Sequence, residues 1–295
     1  MHGPFAFTKS MLHPLRRSGR RPRVARRAAC LLAILLLAAC SQQGLRPDEG
    51  LAQEHGFDRR IVVGQSFRHV VYAKRLEAPA SRLHVYIEHD GSPWLGSRVA
   101  LDPSPRDPLA LRLMALDPEP AIYLGRPCYL GLARDAACSP LHWTHRRYAE
   151  EVVASMAAAL GVIAAQVGTR EIVLIGVSGG GTLAVLIAQR MEDVVGVLTV
   201  AANLDVGAWT GLHGYSELEG SLDPALQPIL PRRIVQQHYV GGRDRNVPPS
   251  IVRAYAQIQP GAEVIEIAQF DHRCCWDSRW ESILGWMRAR LEERR

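Results

Sequence analysis

From about residue 61 onward, short apolar runs alternate with longer segments of helical character. Short apolar runs that are rich in β-branched side chains are typical of strands buried on both faces of a sheet. Seven runs predict strands, at 69–74, 83–89, 121–125, 171–176, 195–203, 236–242 and 262–270. The clearest helix is predicted over 148–167, where Glu150 and Glu151 lie near the positive end of the helix dipole. This alternation predicts an α/β fold, with a mostly parallel central sheet and helices on both faces.

The same patterning divides the chain into three parts. Residues 1–39 have the features of a leader, and residues 40–60 are polar, lack periodicity and are predicted to form a tether. Residues 61–295 are predicted to form one domain, because their number is within the range of a single α/β domain. Inside this domain, residues 209–231 lack periodicity and are predicted to form a lid over the sheet.

The leader consists of a basic stretch, an apolar run from Ala28 to Ala39, and then Cys40. The apolar run is too short to span a bilayer and suits a signal peptide. The sequence LAAC at 37–40 resembles the lipobox of bacterial lipoproteins, which implies that Cys40 is lipidated and anchors the mature chain. Because Ser41 rather than Asp follows, the resemblance implies the cell envelope, at the periplasmic face of the outer membrane. The alternative is an ordinary signal peptide that is cleaved near Ala39.

The net charge of +6 is concentrated in the leader. Residues 1–39 hold eight of the 35 lysines and arginines and none of the 29 acids, which leaves 27 bases against 29 acids and a net charge of −2. The mature chain therefore lacks the basic character of a nucleic-acid-binding protein.

The segment 171–189, EIVLIGVSGGGTLAVLIAQ, surrounds one serine with glycines where a strand passes into a helix. Gly176, Ser178 and Gly180 match the G-x-S-x-G nucleophile elbow, in which the serine hydroxyl is exposed on a sharp turn. Glycine suits this turn because it permits backbone angles and close approaches that other side chains forbid. The alternatives are a glycine-rich turn with an incidental serine, or a phosphate-binding loop, although no Walker lysine follows.

A serine hydroxyl becomes a strong nucleophile when a histidine takes its proton and an acid orients that histidine. Asp244 and His272 each follow a predicted strand, so we expect them at the carboxyl ends of the strands, where ligands bind. The order Ser178, Asp244, His272 is the one expected for an α/β-hydrolase. Three other residues compete for these roles: Asp205 as the acid, and His89 and His238 as the base.

An oxyanion hole is expected beside this serine, because negative charge develops on the substrate oxygen. One donor is predicted to be the backbone N–H of Gly179, directly after Ser178. The other is expected from the loop DGSPW, with Asp90 and Gly91 as candidates, although this loop is also consistent with a plain turn.

In strand order, elbow and triad order, residues 61–290 resemble the α/β-hydrolase superfamily. With the leader, the chain resembles bacterial α/β-hydrolase lipoproteins of unassigned substrate. The resemblance implies a serine hydrolase, similar to carboxylesterases or lipases, that forms an acyl-enzyme from a small-molecule or lipid ester and needs no cofactor or metal. An acyltransferase, a peptidase with the same residues, and a non-catalytic envelope lipoprotein are the alternatives. Four residues are candidates to line the substrate pocket, although core packing is the commoner role of tryptophan: Trp94, Arg126, Trp143 and Trp209.

Four cysteines remain after the leader and Cys40 are set aside. An even number in an exported chain suggests disulfides, and Cys128 and Cys138 are predicted to pair. Cys274 and Cys275 are adjacent and would need a vicinal bridge or separate partners. A zinc site is the competing interpretation, but the spacings do not resemble C-x-x-C pairs.

Overall fold

The computed structural model describes residues 45–74, 76 and 79–294. Residues 1–39, predicted to form a leader, and Cys40 lie outside the described residues. The described chain forms one compact unit that begins at Leu45.

An eight-stranded sheet forms the centre of this unit, in the order β1-β2-β6-β3-β7-β8-β9-β10. The strands are β1 (Asp58–Val63), β2 (Arg68–Lys74), β3 (Leu83–Ile87), β6 (Ala121–Leu124), β7 (Ile172–Val177), β8 (Val194–Val200), β9 (Val235–Gly241) and β10 (Ala262–Ile267). A separate hairpin is formed by β4 (Trp94–Leu95) and β5 (Arg98–Val99). The six strands from β6 to β10 in this order are parallel, whereas β1 and β2 are antiparallel to their neighbours. All six parallel strands therefore end at one edge, which we call the carboxyl end of the sheet.

Seven α-helices connect or flank the strands in the described residues. They are α1 (Pro47–Glu54), α2 (Leu109–Leu116), α3 (Glu150–Val167), α4 (Gly179–Ala188), α5 (Val206–His213), α6 (Pro249–Ile258) and α7 (Trp280–Glu292). Helix α3 is long and apolar enough to cross a membrane, but half of it is buried within the unit, as expected for a core helix. The central strands β3, β6 and β7 are buried at every position, which accounts for their mostly apolar sequences; His84 is the one charged or histidine side chain among them. The predicted α/β class is confirmed.

The structured unit starts earlier than residue 61, so the predicted tether over 40–60 is too long. Residues Pro47–Glu54 form α1, and Asp58–Val63 form the edge strand β1. The hydroxyl of Tyr72 in β2 donates to the buried carboxylate of Asp48 at 2.6 Å, which fixes α1 to the sheet. A polar residue therefore occupies a core position of α1, which explains why the segment has no recognisable apolar face.

Residues 209–231, predicted to form a lid, begin inside a regular element. Helix α5 covers Val206–His213, and a 3₁₀ turn covers Pro224–Leu226. The indole N–H of Trp209 donates to the carbonyl of Asn246 at 3.0 Å, and His213 Nε2 contacts the same carbonyl at 2.7 Å. These bonds hold α5 against the turn that follows β9.

Candidate active site

Ser178 lies between β7 and α4 with φ at +51°. This backbone conformation is rare for a residue other than glycine, and it is the strained turn expected of a nucleophile elbow. A Cβ at Gly176 would collide with the backbone of Gly180 and Gly181, and a Cβ at Gly180 would collide with the carbonyl of Ile87. Glycine is therefore required at both positions of the motif, because the turn brings the start of α4 against β3 and β7.

His272 lies within hydrogen-bond distance of Ser178 and Asp244. Its Nε2 is 3.1 Å from Ser178 Oγ, and its Nδ1 is 2.8 Å from Asp244 Oδ2. The other oxygen of Asp244 accepts the backbone N–H groups of Asn246 and Val247, both at 2.8 Å. Because a carboxylate accepts the proton on Nδ1, the lone pair of Nε2 faces the serine hydroxyl. The arrangement can transfer a proton from Ser178 to His272 and hold the ring in the required tautomer.

The competing residues lie elsewhere. Asp205 caps the N-terminus of α5, where its Oδ1 accepts the N–H of Ala208 at 2.8 Å. His238 is buried, and its Nδ1 is 2.9 Å from Thr199 Oγ1. His89 Nε2 is 3.1 Å from the carbonyl of Asp107. None of the three forms a hydrogen bond with Ser178 or His272 in the described part of the chain, although His89 is near enough to His272 for their charges to interact.

The amide of Asn246 is a contact that sequence reasoning missed. Its Nδ2 is 3.0 Å from His272 Nε2, so it shares the ring nitrogen that faces Ser178. The sequence contained one indication of this contact: Asn246 lies two residues after Asp244, just beyond the end of a strand.

Among the described residues, the backbone N–H groups of Gly179 and Asp90 donate to no backbone carbonyl in the turns and loops around the serine, so both remain candidate donors. The third candidate donor, the N–H of Gly91, donates to Nδ1 of His89 at 3.0 Å. Gly91 has φ at +66°, and a Cβ there would collide with the carbonyl of Pro103. Gly91 is therefore needed for the tight loop, and its amide is already engaged.

The side chain of Asp90 is the centre of a buried ion cluster. Arg126 pairs with Oδ1, while Arg147 and the hydroxyl of Tyr148 bond Oδ2 at 3.0 and 2.7 Å. The hydroxyl of Tyr129 donates to the carbonyl of Asp90 at 3.0 Å. Burial alone would raise the pKa of the Asp90 carboxyl, but the charges of Arg126 and Arg147 outweigh it and hold this pKa well below its usual range.

This cluster lies directly against the nucleophile elbow. A Cβ at Gly179 would collide with the carboxylate of Asp90 and would lie 2.5 Å from the hydroxyl of Tyr148. The cluster thereby fixes the loop that carries the Asp90 N–H relative to the N–H of Gly179. Arg126, predicted to line a pocket, is 2% exposed and belongs to this cluster instead.

The three tryptophans proposed for the pocket differ in position. Trp143 is buried, and its indole N–H donates to the carbonyl of Ala100 at 3.1 Å, so it is a core residue. Trp94 is exposed on the β4–β5 hairpin, and Trp209 is partly buried beside Asn246. Trp94 and Trp209 both lie at the carboxyl end of the sheet.

A second serine–histidine contact provides a contrast. Ser155 Oγ is 2.9 Å from His69 Nε2, while Nδ1 of the same ring donates to the carbonyl of Gly125 at 2.9 Å. Both side chains are fully buried, and Ser155 also accepts the N–H of Phe67 at 3.1 Å. Burial lowers the pKa of His69 to about 4. With no carboxylate on the ring and no access from solvent, this pair joins β2 to α3 rather than forming a reactive site.

The four cysteines of the described residues are joined in two pairs. Cys128 bonds Cys138 in the loop that follows β6, and Cys274 bonds Cys275 in the loop that carries His272. The carboxylate of Asp271 accepts the N–H groups of Arg273 and Cys274 at 2.8 and 2.7 Å, which orders the start of that loop.

No family model and no curated protein matches the chain. Solved structures are similar to it. The α/β-hydrolase domain-containing protein 10 of mouse aligns with a TM-score of 0.53 at 14% identity, over 80% of this chain and 99% of that one. A bacterial membrane phospholipase A, described as a virulence factor, aligns with a TM-score of 0.53 at 15% identity, over 91% and 99%. An esterase of Pyrococcus furiosus aligns with a TM-score of 0.56 at 10% identity, over 81% and 94%.

At identities this low, the similarity shows the fold alone. The chain has the α/β-hydrolase fold, with a mixed, mostly parallel eight-stranded sheet flanked by helices.

Proposed function

We propose that the protein is a serine hydrolase of the α/β-hydrolase superfamily that cleaves carboxylic esters through an acyl-enzyme. The observation that carries this proposal is the continuous contact from Ser178 Oγ through His272 to Asp244, with the serine on a strained strand-to-helix turn. The similar structures whose names include an esterase and a phospholipase support an ester as the substrate.

In the proposed reaction, His272 Nε2 takes the proton of Ser178 as its oxygen attacks the ester carbonyl. The N–H groups of Gly179 and Asp90 donate to the oxyanion, assisted by the N-terminus of α4. His272 then gives its proton to the departing alkoxide, which leaves as the alcohol. Water, deprotonated by the same nitrogen, attacks the acyl-enzyme; the bond to Ser178 Oγ breaks, His272 returns the proton to that oxygen, and the carboxylic acid is released.

In this proposal the His272 ring and the two oxyanion donors surround Ser178, so that all of them act on the same ester carbonyl group. The ring of His272 approaches the hydroxyl from the loop after β10, and the oxyanion donors come from the loop after β3 and the start of α4. Asp244 stabilises the imidazolium that forms in each step without taking the proton itself.

We also propose that Cys40 is lipidated and holds the domain at the periplasmic face of the outer membrane. The sequence LAAC after a basic and then apolar leader supports this, and Cys40 lies outside the described residues. Cys40→Ala should abolish fatty-acid labelling and maturation to the shorter form, and unchanged labelling would contradict the anchor.

The hydrolase proposal is tested with a fluorophosphonate probe and nitrophenyl esters of increasing chain length. Ser178→Ala should abolish labelling and lower kcat by about 10⁴-fold or more, since triad members act as a unit. Ser155→Ala is the matched control, because it removes the other serine that contacts a histidine, and labelling should persist. Labelling and turnover that survive Ser178→Ala would overturn the mechanism. An added alcohol that accepts the acyl group in place of water would identify an acyltransferase.

A further inference from the structure

The carboxyl end of the sheet carries exposed apolar side chains, which we call the apolar rim. Six residues between 43% and 85% exposed form it: Trp94, Leu95, Leu101, Leu141, Leu212 and Tyr215. They come from the β4–β5 hairpin and the loop after it, the 3₁₀ turn before α3, and α5 with the residues that follow. These segments follow β3, β6 and β8, so the rim lies at the same end as Ser178.

Contacts connect the rim to the proposed active site on one side. Tyr215 stacks on His213 with ring centroids 5.1 Å apart, and His213 contacts the carbonyl of Asn246. The side chain of Asn246 contacts His272. The apolar surface of α5 therefore adjoins the catalytic histidine.

Contacts also connect the two sides of the rim to each other. The ring of Trp94 meets that of His145 edge-on at 6.4 Å, and His145 Nε2 is 3.4 Å from the hydroxyl of Ser216, next to Tyr215. Single exposed apolar residues are ordinary in a folded protein, but a group concentrated around a site marks a binding surface.

The described chain begins at this same end. A Cβ at Gly131, in the loop after β6, would collide with the guanidinium of Arg46. In the same loop the N–H of Leu130 donates to Ser104 Oγ at 2.6 Å, and Ser104 is three residues from Leu101 of the rim. The guanidinium of Arg46 is in turn held by Asp48, at 3.2 Å from Nε to Oδ1.

This position limits how far the domain can be from the proposed anchor. Only residues 41–44 separate Cys40 from Leu45, and an extended chain spans at most about 3.6 Å per residue. Leu45 is therefore at most roughly 18 Å from the lipidated residue along the chain. An anchor within that distance would hold a lipid surface near the end of the sheet that carries both the rim and Ser178.

We propose that the apolar rim rests on the membrane that holds the Cys40 anchor, and that the substrate is a long-chain lipid ester drawn from that membrane. This inference rests on the proposed hydrolase function and on the proposed anchor. The acyl C–O bond of the ester breaks, and the released alcohol takes the proton of Ser178 through His272. Water then supplies the hydroxyl of the fatty acid and the proton that restores Ser178. The rim admits such a substrate to Ser178 without moving its acyl chain through water.

Two exposed tryptophans provide a matched test of orientation. Trp94 is on the rim and is 43% exposed. Trp286 is 52% exposed on α7, where it stacks on Tyr239 with ring centroids 6.3 Å apart. The lipidated full-length mature protein is placed in vesicles of brominated phospholipid, which quench the fluorescence of tryptophans in contact with lipid. Trp94→Phe should remove the larger part of the quenching, and Trp286→Phe should retain it. Quenching that survives Trp94→Phe or disappears in Trp286→Phe would overturn the proposal.

Activity gives a second test. Leu95→Asp and Leu101→Asp each place a charge on the rim, and Ile258→Asp is the control, since Ile258 is 49% exposed at the last residue of α6, away from the rim. The measured quantity is the rate on nitrophenyl palmitate in vesicles divided by the rate on soluble nitrophenyl butyrate. This ratio should fall at least tenfold in both rim variants and less than twofold in the control. A ratio unchanged in the rim variants would overturn the membrane inference alone, whereas a wild-type protein inactive on both esters would overturn the hydrolase proposal.

Discussion

Asp244 and His272 meet across two neighbouring parallel strands, with Oδ2 of the carboxylate 2.8 Å from Nδ1 of the ring. Each residue lies in the turn that follows its strand, β9 or β10, and these strands pair directly. The second carboxylate oxygen is held by two backbone N–H groups, so the acid has one orientation and presents one oxygen to the histidine. The pair fixes the orientation of the ring that acts as the base of Ser178 in the proposed mechanism.

Removing the charge of Asp244 should reduce turnover strongly. Asp244→Asn should lower kcat by about 10³- to 10⁴-fold, because an amide favours the wrong tautomer of the His272 ring. The measurement is steady-state hydrolysis of a soluble nitrophenyl ester. Asp205→Asn is the control and should stay within about twofold, since asparagine also caps a helix well. If Asp205→Asn were the damaging change, the acid would be misassigned while the hydrolase proposal would stand.

Asp90→Asn should affect both stability and catalysis. Losing this carboxylate leaves Arg126 and Arg147 buried with uncompensated charge, which costs about 3–5 kcal/mol in the free energy of unfolding. We also expect kcat to fall at least tenfold, because the loop that carries the Asp90 N–H loses its support against Gly179. Guanidinium unfolding and ester hydrolysis measure the two effects. The pKa of the Asp90 carboxyl is depressed in the folded protein. Its contribution to the free energy of unfolding is therefore complete at neutral pH and is lost only in strong acid. Wild-type stability in Asp90→Asn would refute the structural role of the cluster.

The buried ring of His69 should make the protein less stable in mild acid. Above about pH 6.5 the ring is neutral in both the folded and unfolded states. With a folded-state pKa of about 4, only the unfolded chain gains a proton as the pH falls from about 6.5 to about 4. The free energy of unfolding should drop by about 3 kcal/mol across this window from His69 alone.

The variant His69→Gln tests this source of pH dependence, because its side chain stays neutral throughout. Its free energy of unfolding should vary less between pH 7 and pH 4 than that of the wild type. Burial also lowers the pKa of His238, to about 3, so part of the pH dependence should remain. A slope identical to that of the wild type would show that His69 titrates normally in the folded protein.

The disulfide between Cys128 and Cys138 should stabilise the fold. It closes a loop with a sequence separation of 10 residues, and its removal by Cys128→Ala with Cys138→Ala should cost about 2–3 kcal/mol. The matched control is Cys274→Ala with Cys275→Ala, where adjacent residues close almost no loop and the loss should be smaller. Guanidinium midpoints compare the two, and non-reducing peptide mapping verifies the pairing. An equal loss in both double variants would contradict the loop argument.

The strands and the elbow could be predicted because their signals are local. The apolar runs gave the parallel strands, and a residue that directly follows such a strand must lie at its carboxyl end, which placed Asp244, His272 and Ser178 at one edge. Gly176 and Gly180 of the elbow are required by contacts with residues within five positions of Ser178 and with the neighbouring strand β3. The elbow is therefore visible in the sequence as one continuous motif.

The remaining features depend on contacts that leave no periodic signal. Helix α1 buries Asp48 rather than an apolar stripe, and β4 and β5 have two residues each. The Asp90 cluster joins residues from separate loops, so no local sequence pattern around Arg126 or Arg147 predicts it. The one indication in the sequence was an acid three residues after the last residue of β3.

The Asp90 cluster also has a consequence for how the domain folds. Its arginines come from 36 and 57 residues further along the chain, so two long loops must close before both charges are neutralised. An intermediate that buries the carboxylate with neither arginine, or an arginine without the carboxylate, is penalised by desolvation. We therefore expect the segments around the elbow to become ordered together in one cooperative step, rather than to fray separately from the sheet beneath them.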